Sequence, residues 1–271
     1  MIAALRAELL KLTTVRLWWV LLLILVGYVG FMAALLAGIF GAIGDQSSSA
    51  GIQQLPDESL RSVVYGTASS VGYAFALILG ALAVTSEFRY QTLTPTFLTQ
   101  PRRGIVLVAK LLVLAVAGAL YGLAALVGSV GFGATVLGFF GVSSGLGDVD
   151  TWLLLARVVL AMALWAVIGV GLGTLIPNQV ASIVVVLAFT QFLEPILRAG
   201  SAVLDWTASV GRFLPGAASD ALVGPSYLTA FSFGAARAEP LEWWQNGLVL
   251  IAYAVVAAIA GALTTWRRDV T

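Results

Sequence analysis

The sequence predicts an all-α integral membrane protein. It has six transmembrane helices, an N-terminal interfacial helix and a structured extracytoplasmic loop before the last helix. Three observations carry this expectation. Of 271 residues, 60% are hydrophobic and only 10% charged, whereas a soluble domain carries about 25% charged residues. Six apolar runs approach or exceed the roughly 20 residues that cross a bilayer core. The basic residues cluster at alternate ends of those runs, as the positive-inside rule requires. No soluble domain fits anywhere, so residues 1–271 read as a single transmembrane domain.

Residues 2–16 place Ile2, Leu5, Leu9 and Leu12 at helical spacing, with Arg6, Glu8 and Lys11 on other faces. That pattern predicts a helix lying in the membrane interface. The first span is expected at 17–40. Its uncharged stretch, Leu17 to Gly44, is 28 residues long. A cleaved signal core has about 7–15, so the run reads as a retained span. A second span follows at 63–85.

The link at 86–104 cannot lie in hydrocarbon, because its polar backbone and side chains need water or protein partners. Its basic content places it in the cytoplasm. Thr94 is suited to cap a short helix with Pro95 in its first position. Pro101 limits that helix to little more than a turn, with Phe97 and Leu98 presented at its surface.

The third span is expected at 107–132. It sits in an uncharged run from Leu111 to Gly147, 37 residues long, about 55 Å if fully helical. A core of roughly 30 Å is too thin for that. Gly128, Gly131, Gly133, Gly138 and Gly141 are expected to end or bend the helix. The fourth and fifth spans, 152–176 and 180–199, are separated only by Ile176-Pro177-Asn178-Gln179, where Pro-Asn supplies a turn. Residues 200–242 form an outer loop with apolar pieces too short to span, Ala202-Val203-Leu204 and Tyr227-Leu228-Thr229-Ala230-Phe231. The sixth span is expected at 244–265.

With six spans, Arg6, Lys11, Arg16, Arg89, Arg102, Arg103, Lys110, Arg267 and Arg268 face the cytoplasm. Arg61, Arg157, Arg198, Arg212 and Arg237 face outward. Nine against five obeys the rule, and both termini fall inside. Trp18, Trp19, Trp152, Trp243, Trp244 and Trp266 fall near span ends, as an aromatic belt should.

Several chemistries are absent from the inventory. The chain has no Cys and no His, which excludes disulfides, thiol catalysis, the usual zinc sites and histidine acid–base work. Basic residues occupy topological positions rather than one patch, so no nucleic acid is expected as a partner. The two lysines, Lys11 and Lys110, follow no glycine, so there is no phosphate-binding loop. Gly169-Val170-Gly171-Leu172-Gly173 lies inside a span and reads as close helix packing, as does the Gly118/Gly122 pair, with the dimer seam a further use for either. Asp148 and Asp150 read as a solvated span boundary. Glu194 is an acidic residue within a span, which makes it a candidate for lining an exit path. Arg198, four positions later, is placed to pair with it, although Pro195 lies between them.

The run Glu87-Phe88-Arg89-Tyr90-Gln91-Thr92-Leu93, then Pro101-Arg102-Arg103, resembles the cytoplasmic link of ABC type-2 permeases. Those are the membrane subunits of ABC exporters, here of the bacterial type. Glu8-Leu9-Leu10-Lys11-Leu12 before a Trp-rich span start fits the same family. So do Pro177-Asn178-Gln179-Val180-Ala181, Leu214-Pro215-Gly216 and Arg267-Arg268-Asp269. The resemblance implies a dimeric core, formed with a second copy or a homologous permease, in a bacterial plasma membrane. It implies two ABC ATPase subunits that hold ATP and Mg, with no cofactor on this chain. It also implies that Glu87, Phe88, Arg89, Thr94, Phe97, Leu98, Arg102 and Arg103 couple to the ATPase, beside the interfacial helix with Arg6, Glu8 and Lys11. The expected cargo is hydrophobic or amphipathic: a drug, natural product, peptide or lipid. Two other readings stay open on sequence alone: a non-transporting scaffold or sensor on the same fold, and an ion-driven carrier.

Overall fold

The computed structural model describes residues 1–50, 56–201, 210–224 and 241–264. Among them every regular element is helical. Six helical segments are long and apolar enough to cross a membrane: Leu17–Gly44, Asp57–Arg89, Arg103–Phe139, Val149–Leu175, Gln179–Arg198 and Trp243–Thr264. The apolar pieces at 202–204 and 227–231, Arg237, Trp266 and Arg267-Arg268-Asp269 lie outside the described residues.

Helix α1 (Ile2–Thr14) ends at Val15, whose backbone is extended, and α2 (Leu17–Ala50) starts the first span. The second span has two parts, α3 (Asp57–Ser70) and α4 (Tyr73–Arg89), separated at Val71-Gly72. It is the most buried span, with 72% of its apolar window inside the protein, against 22% for the fifth and sixth. It therefore forms the centre of the bundle.

The link folds as α5 (Leu93–Thr99). Its N-cap is Thr92, not Thr94, and Pro95 is its third residue rather than its first. The shift is tolerated because the first four N–H groups of a helix have no intrahelical acceptor, so a proline anywhere in that turn forfeits nothing. Helix α6 (Arg103–Phe139) runs unbroken through Gly128, Gly131, Gly133 and Gly138. Only Gly141, with φ of 77°, follows its end. Gly128 lets Val26 of α2 approach α6, and Gly133 accommodates Val64 of α3. Packing against two neighbours thus keeps continuous a helix whose composition predicts a break.

Helix α7 (Val149–Leu175) turns through Pro177 into α8 (Gln179–Ala188), where Asn178 accepts from the Ala181 N–H at 3.1 Å. A π-helical turn, Phe189–Leu193, joins α8 to α9 (Glu194–Ser201). Helix α10 (Pro215–Val223) starts with Pro215 in its first turn and packs back on α3 and α7. Helix α11 (Trp243–Thr264) closes the bundle against α7 and α10.

Close approach between α4 and α7 depends on glycine. A side chain at Gly80 would meet the Ala166 carbonyl, and one at Gly169 the Leu77 carbonyl. Gly118 and Gly122 of α6 also face α7, against Met162, Ala163 and Val159. Both glycine pairs therefore serve packing within the chain.

Candidate functional site

At the end of the bundle that carries α1 and α5, four charged side chains from three helices form one cluster. Lys11 of α1 lies 2.7 Å from Glu8 Oε1 and 2.8 Å from Glu87 Oε1 of α4. Lys110 of α6 lies 2.5 Å from Glu8 Oε2 and 3.1 Å from Glu87 Oε1. Lys11 also donates to Thr96 Oγ1 of α5 at 3.3 Å, and Lys110 to the Ala83 carbonyl at 3.3 Å. Glu8, Glu87 and Lys110 are buried, with exposures of 3%, 5% and 1%. Two positive and two negative charges balance, the condition under which ions are retained away from water. Both lysines of the chain are spent here.

Burial alone would raise the Glu8 carboxyl. The charge of Lys110 and the hydrogen bonds from both lysines outweigh it and hold the group below its ordinary value. Burial alone would lower Lys11, but Glu87 and the hydrogen bond to Glu8 outweigh it and keep the ammonium above its ordinary value.

The geometry corrects the sequence reading of α1. Glu8 was expected on a polar face, yet it is the buried residue of that helix. Leu5 and Leu12 flank it against the core, while Ile2 and Leu9 stay largely exposed. Residues 5, 8 and 12 share one helical face, so the inward stripe contains a carboxylate. Arg6 is exposed and lines the edge of an apolar cavity of about 520 Å³ between α1 and α6, beside Leu9, Trp18, Val116 and Tyr121. Tyr121 donates to the Trp18 carbonyl at 2.5 Å.

The link residues divide by role. Phe88 and Phe97 pack against the core, and Arg103 stacks over the Phe97 ring at 4.9 Å. Arg89 donates to Gln179 at 3.0 Å, tying the end of α4 to the start of α8. Leu98 is 78% exposed, and Arg102 is exposed. Thr94 makes no side-chain cap. Thr96, which sequence reasoning passed over, is the α5 residue that touches the ion cluster. Lys110 was also missed as a site residue. Its signal was present, since an ionisable group inside an apolar run needs a partner.

A second cluster lies toward the opposite end. Glu194 Oε1 accepts from Arg198 at 2.9 Å and from the Ala217 N–H at 3.0 Å. Arg198 also pairs with Asp220 at 2.7 Å, and Ser70 donates to Asp220 at 2.5 Å. The i, i+4 pair expected of Glu194 and Arg198 forms despite Pro195. Asp220 and Ser70 were not anticipated, because they come from α10 and from the bend of the second span. Asp148 pairs with Arg61 at 2.9 Å.

Residues 4–192 match the family model described as ABC-2 family transporter protein. The chain belongs to the ABC-2 transporter family. ABC-2 proteins are the membrane components of ABC transporters and are not themselves ATPases, and membership implies association with an ABC ATPase subunit. The ABC-2 match contains all but the first two residues of α1, the four-residue ion cluster and α5, and ends just before Glu194. No curated protein matches the chain.

Proposed function

We propose that this ABC-2 protein is the permease subunit of a bacterial plasma-membrane exporter, with both termini and α5 in the cytoplasm. Two copies, or one copy and a homologous permease, form the core, and two ABC ATPase subunits drive it. Its cargo is a hydrophobic or amphipathic molecule. The observation that carries this reading is the buried ion cluster, which binds α1, α4 and α6 together and reaches α5 through Thr96. A load applied to α5 is delivered to the central span and to α1 at once. Leu98, exposed on α5, is the contact residue for the ATPase, with Arg102 beside it and Glu87, Arg89, Phe88, Phe97 and Arg103 anchoring the link. ATP closure of the two partners then shifts the helices between inward- and outward-open states.

The absence of cysteine makes the test clean. In Leu98→Cys the introduced thiol is the chain's only one. An impermeant maleimide should label it in inside-out vesicles and not in intact cells, and a short crosslinker should join it to the co-encoded ATPase. Labelling from the outside of intact cells would overturn the orientation, and crosslinking to no ATPase would overturn the docking role.

A further inference from the structure

The second cluster contains an unused valence. Glu194 is 1% exposed, and its Oε1 is fully engaged by Arg198 and the Ala217 N–H. Its Oε2 is buried and has no hydrogen-bond partner among the described residues. A buried carboxylate oxygen left unpaired is costly, and such a group needs a reason.

Glu194 lines a cavity of about 180 Å³ between α2, the bend of the second span and the α8–α9 span. Arg198 shares the lining, with Tyr28, Met32, Ser70, Tyr73 and Gln191. Among the described residues two carboxylates, Glu194 and Asp220, share one guanidinium, and Arg198 is committed to both. Among the described residues Glu194 Oε2 is thus left as a vacant acceptor at the cavity wall. Two tyrosine rings and a thioether complete walls suited to a cation with an apolar body.

The backbone is also unusual here. The π-helical turn Phe189–Leu193 supplies Gln191 and Thr190, and the Thr190 carbonyl accepts from Tyr73 at 3.1 Å. Such turns recur at functional sites. Glu194 lies fifteen residues beyond Gln179, about 22 Å along the helix. That falls within a core of roughly 30 Å, in the outer half under the orientation proposed above.

We propose that this cavity is a cargo subsite for a protonated amine, with Glu194 Oε2 accepting an N–H of the ammonium. The inference deepens the export reading and rests on it for the word cargo: the transported molecule is an amphipathic amine. An ethanolamine lipid headgroup offers the same chemistry, so the test separates the two sources.

The full chain in phosphatidylglycerol nanodiscs is titrated calorimetrically with phenethylammonium, and with neutral 2-phenylethanol of similar size. Saturable binding of the ammonium, at least tenfold tighter than the alcohol, is expected. Glu194→Gln should weaken it at least tenfold. Met32→Trp, which fills the cavity from α2 and leaves Glu194, Arg198 and Asp220 unchanged in sequence, should do the same and covers the case in which the first variant fails to fold. Equal affinity for alcohol and ammonium, or wild-type affinity in Met32→Trp, would overturn the subsite. Nanodiscs containing phosphatidylethanolamine should leave the affinity unchanged; competition there would reassign the ammonium to the lipid and overturn the cargo assignment. ATP hydrolysis by the complex with its ATPase is read in parallel. Tight binding without stimulated hydrolysis supports the subsite and counts against export alone.

Discussion

Removing Lys110 should be the most damaging single change in the ion cluster. Its ammonium sits between Glu8 Oε2 at 2.5 Å and Glu87 Oε1 at 3.1 Å, and its side chain is almost wholly buried. Lys110→Met keeps the length and apolar stem but leaves two buried carboxylates sharing Lys11 alone, a net charge of −1 away from water. Breaking a buried pair from one side costs about 3–5 kcal/mol. At roughly 2–4 °C per kcal/mol for a chain of this size, the thermal midpoint should fall by on the order of 10 °C. The companion change decides the cause. Lys110→Met with Glu8→Gln removes one charge of each sign and leaves Lys11 and Glu87 paired at 2.8 Å. The double variant should recover about 2 kcal/mol or more relative to additivity, since residues in one network couple by about 0.5–3 kcal/mol. Nanodisc thermal denaturation followed by tryptophan fluorescence measures all four corners of the cycle. A loss under about 0.5 kcal/mol for Lys110→Met, the size of an inconsequential surface change, would refute the reasoning, as would strict additivity.

The same cluster sets a pH window. Glu8 is depressed below 4.5, so its contribution is complete above that value and is lost as pH falls through the folded-state value. Lys11 is raised above 10.5, so its contribution is complete below that value and is lost only above it. The cluster's share of the thermal midpoint, read as wild type minus Lys110→Met with Glu8→Gln, should stay flat from about pH 5 to 10 and fall on either side; a steady slope across neutrality would contradict the assignment. Two glycines should respond oppositely to alanine. Gly169→Ala forces a methyl into the Leu77 carbonyl and should destabilise by about 1–3 kcal/mol, whereas Gly131→Ala meets open space in mid-helix and should stabilise by about 0.5–1 kcal/mol. Thermal midpoints of the pair check the contrast.

The six spans were legible because each apolar run carries its own signal. Even the tight turn at Pro177-Asn178 could be read locally, and there Asn178 does cap α8. What escaped was long-range. Glu8 looks like a solvent-facing residue until Lys110, 102 positions away, is brought beside it. Asp220 reads as part of a polar loop until Arg198 and the bend at Ser70 converge on it. The glycines of α6 read as breakers because composition does not reveal that α2 and α3 press against them. The link was placed correctly as a short helix ending before Pro101, but its start was displaced by two residues, a margin within which helix ends are intrinsically ambiguous.

The glycine crossing of α4 and α7 has a mechanical corollary. Glu87 stands near one end of α4 and Tyr73 at the other, fourteen residues apart, about 21 Å. Along that length Gly80, Gly169 and Gly173 bring the two backbones into direct touch. A rod clamped to a second rod over several turns has little slack to absorb a push by bending. A displacement of the lysine–carboxylate knot would therefore reach the chamber beside Tyr73 as a movement of the whole rod, with little of it lost to bending on the way.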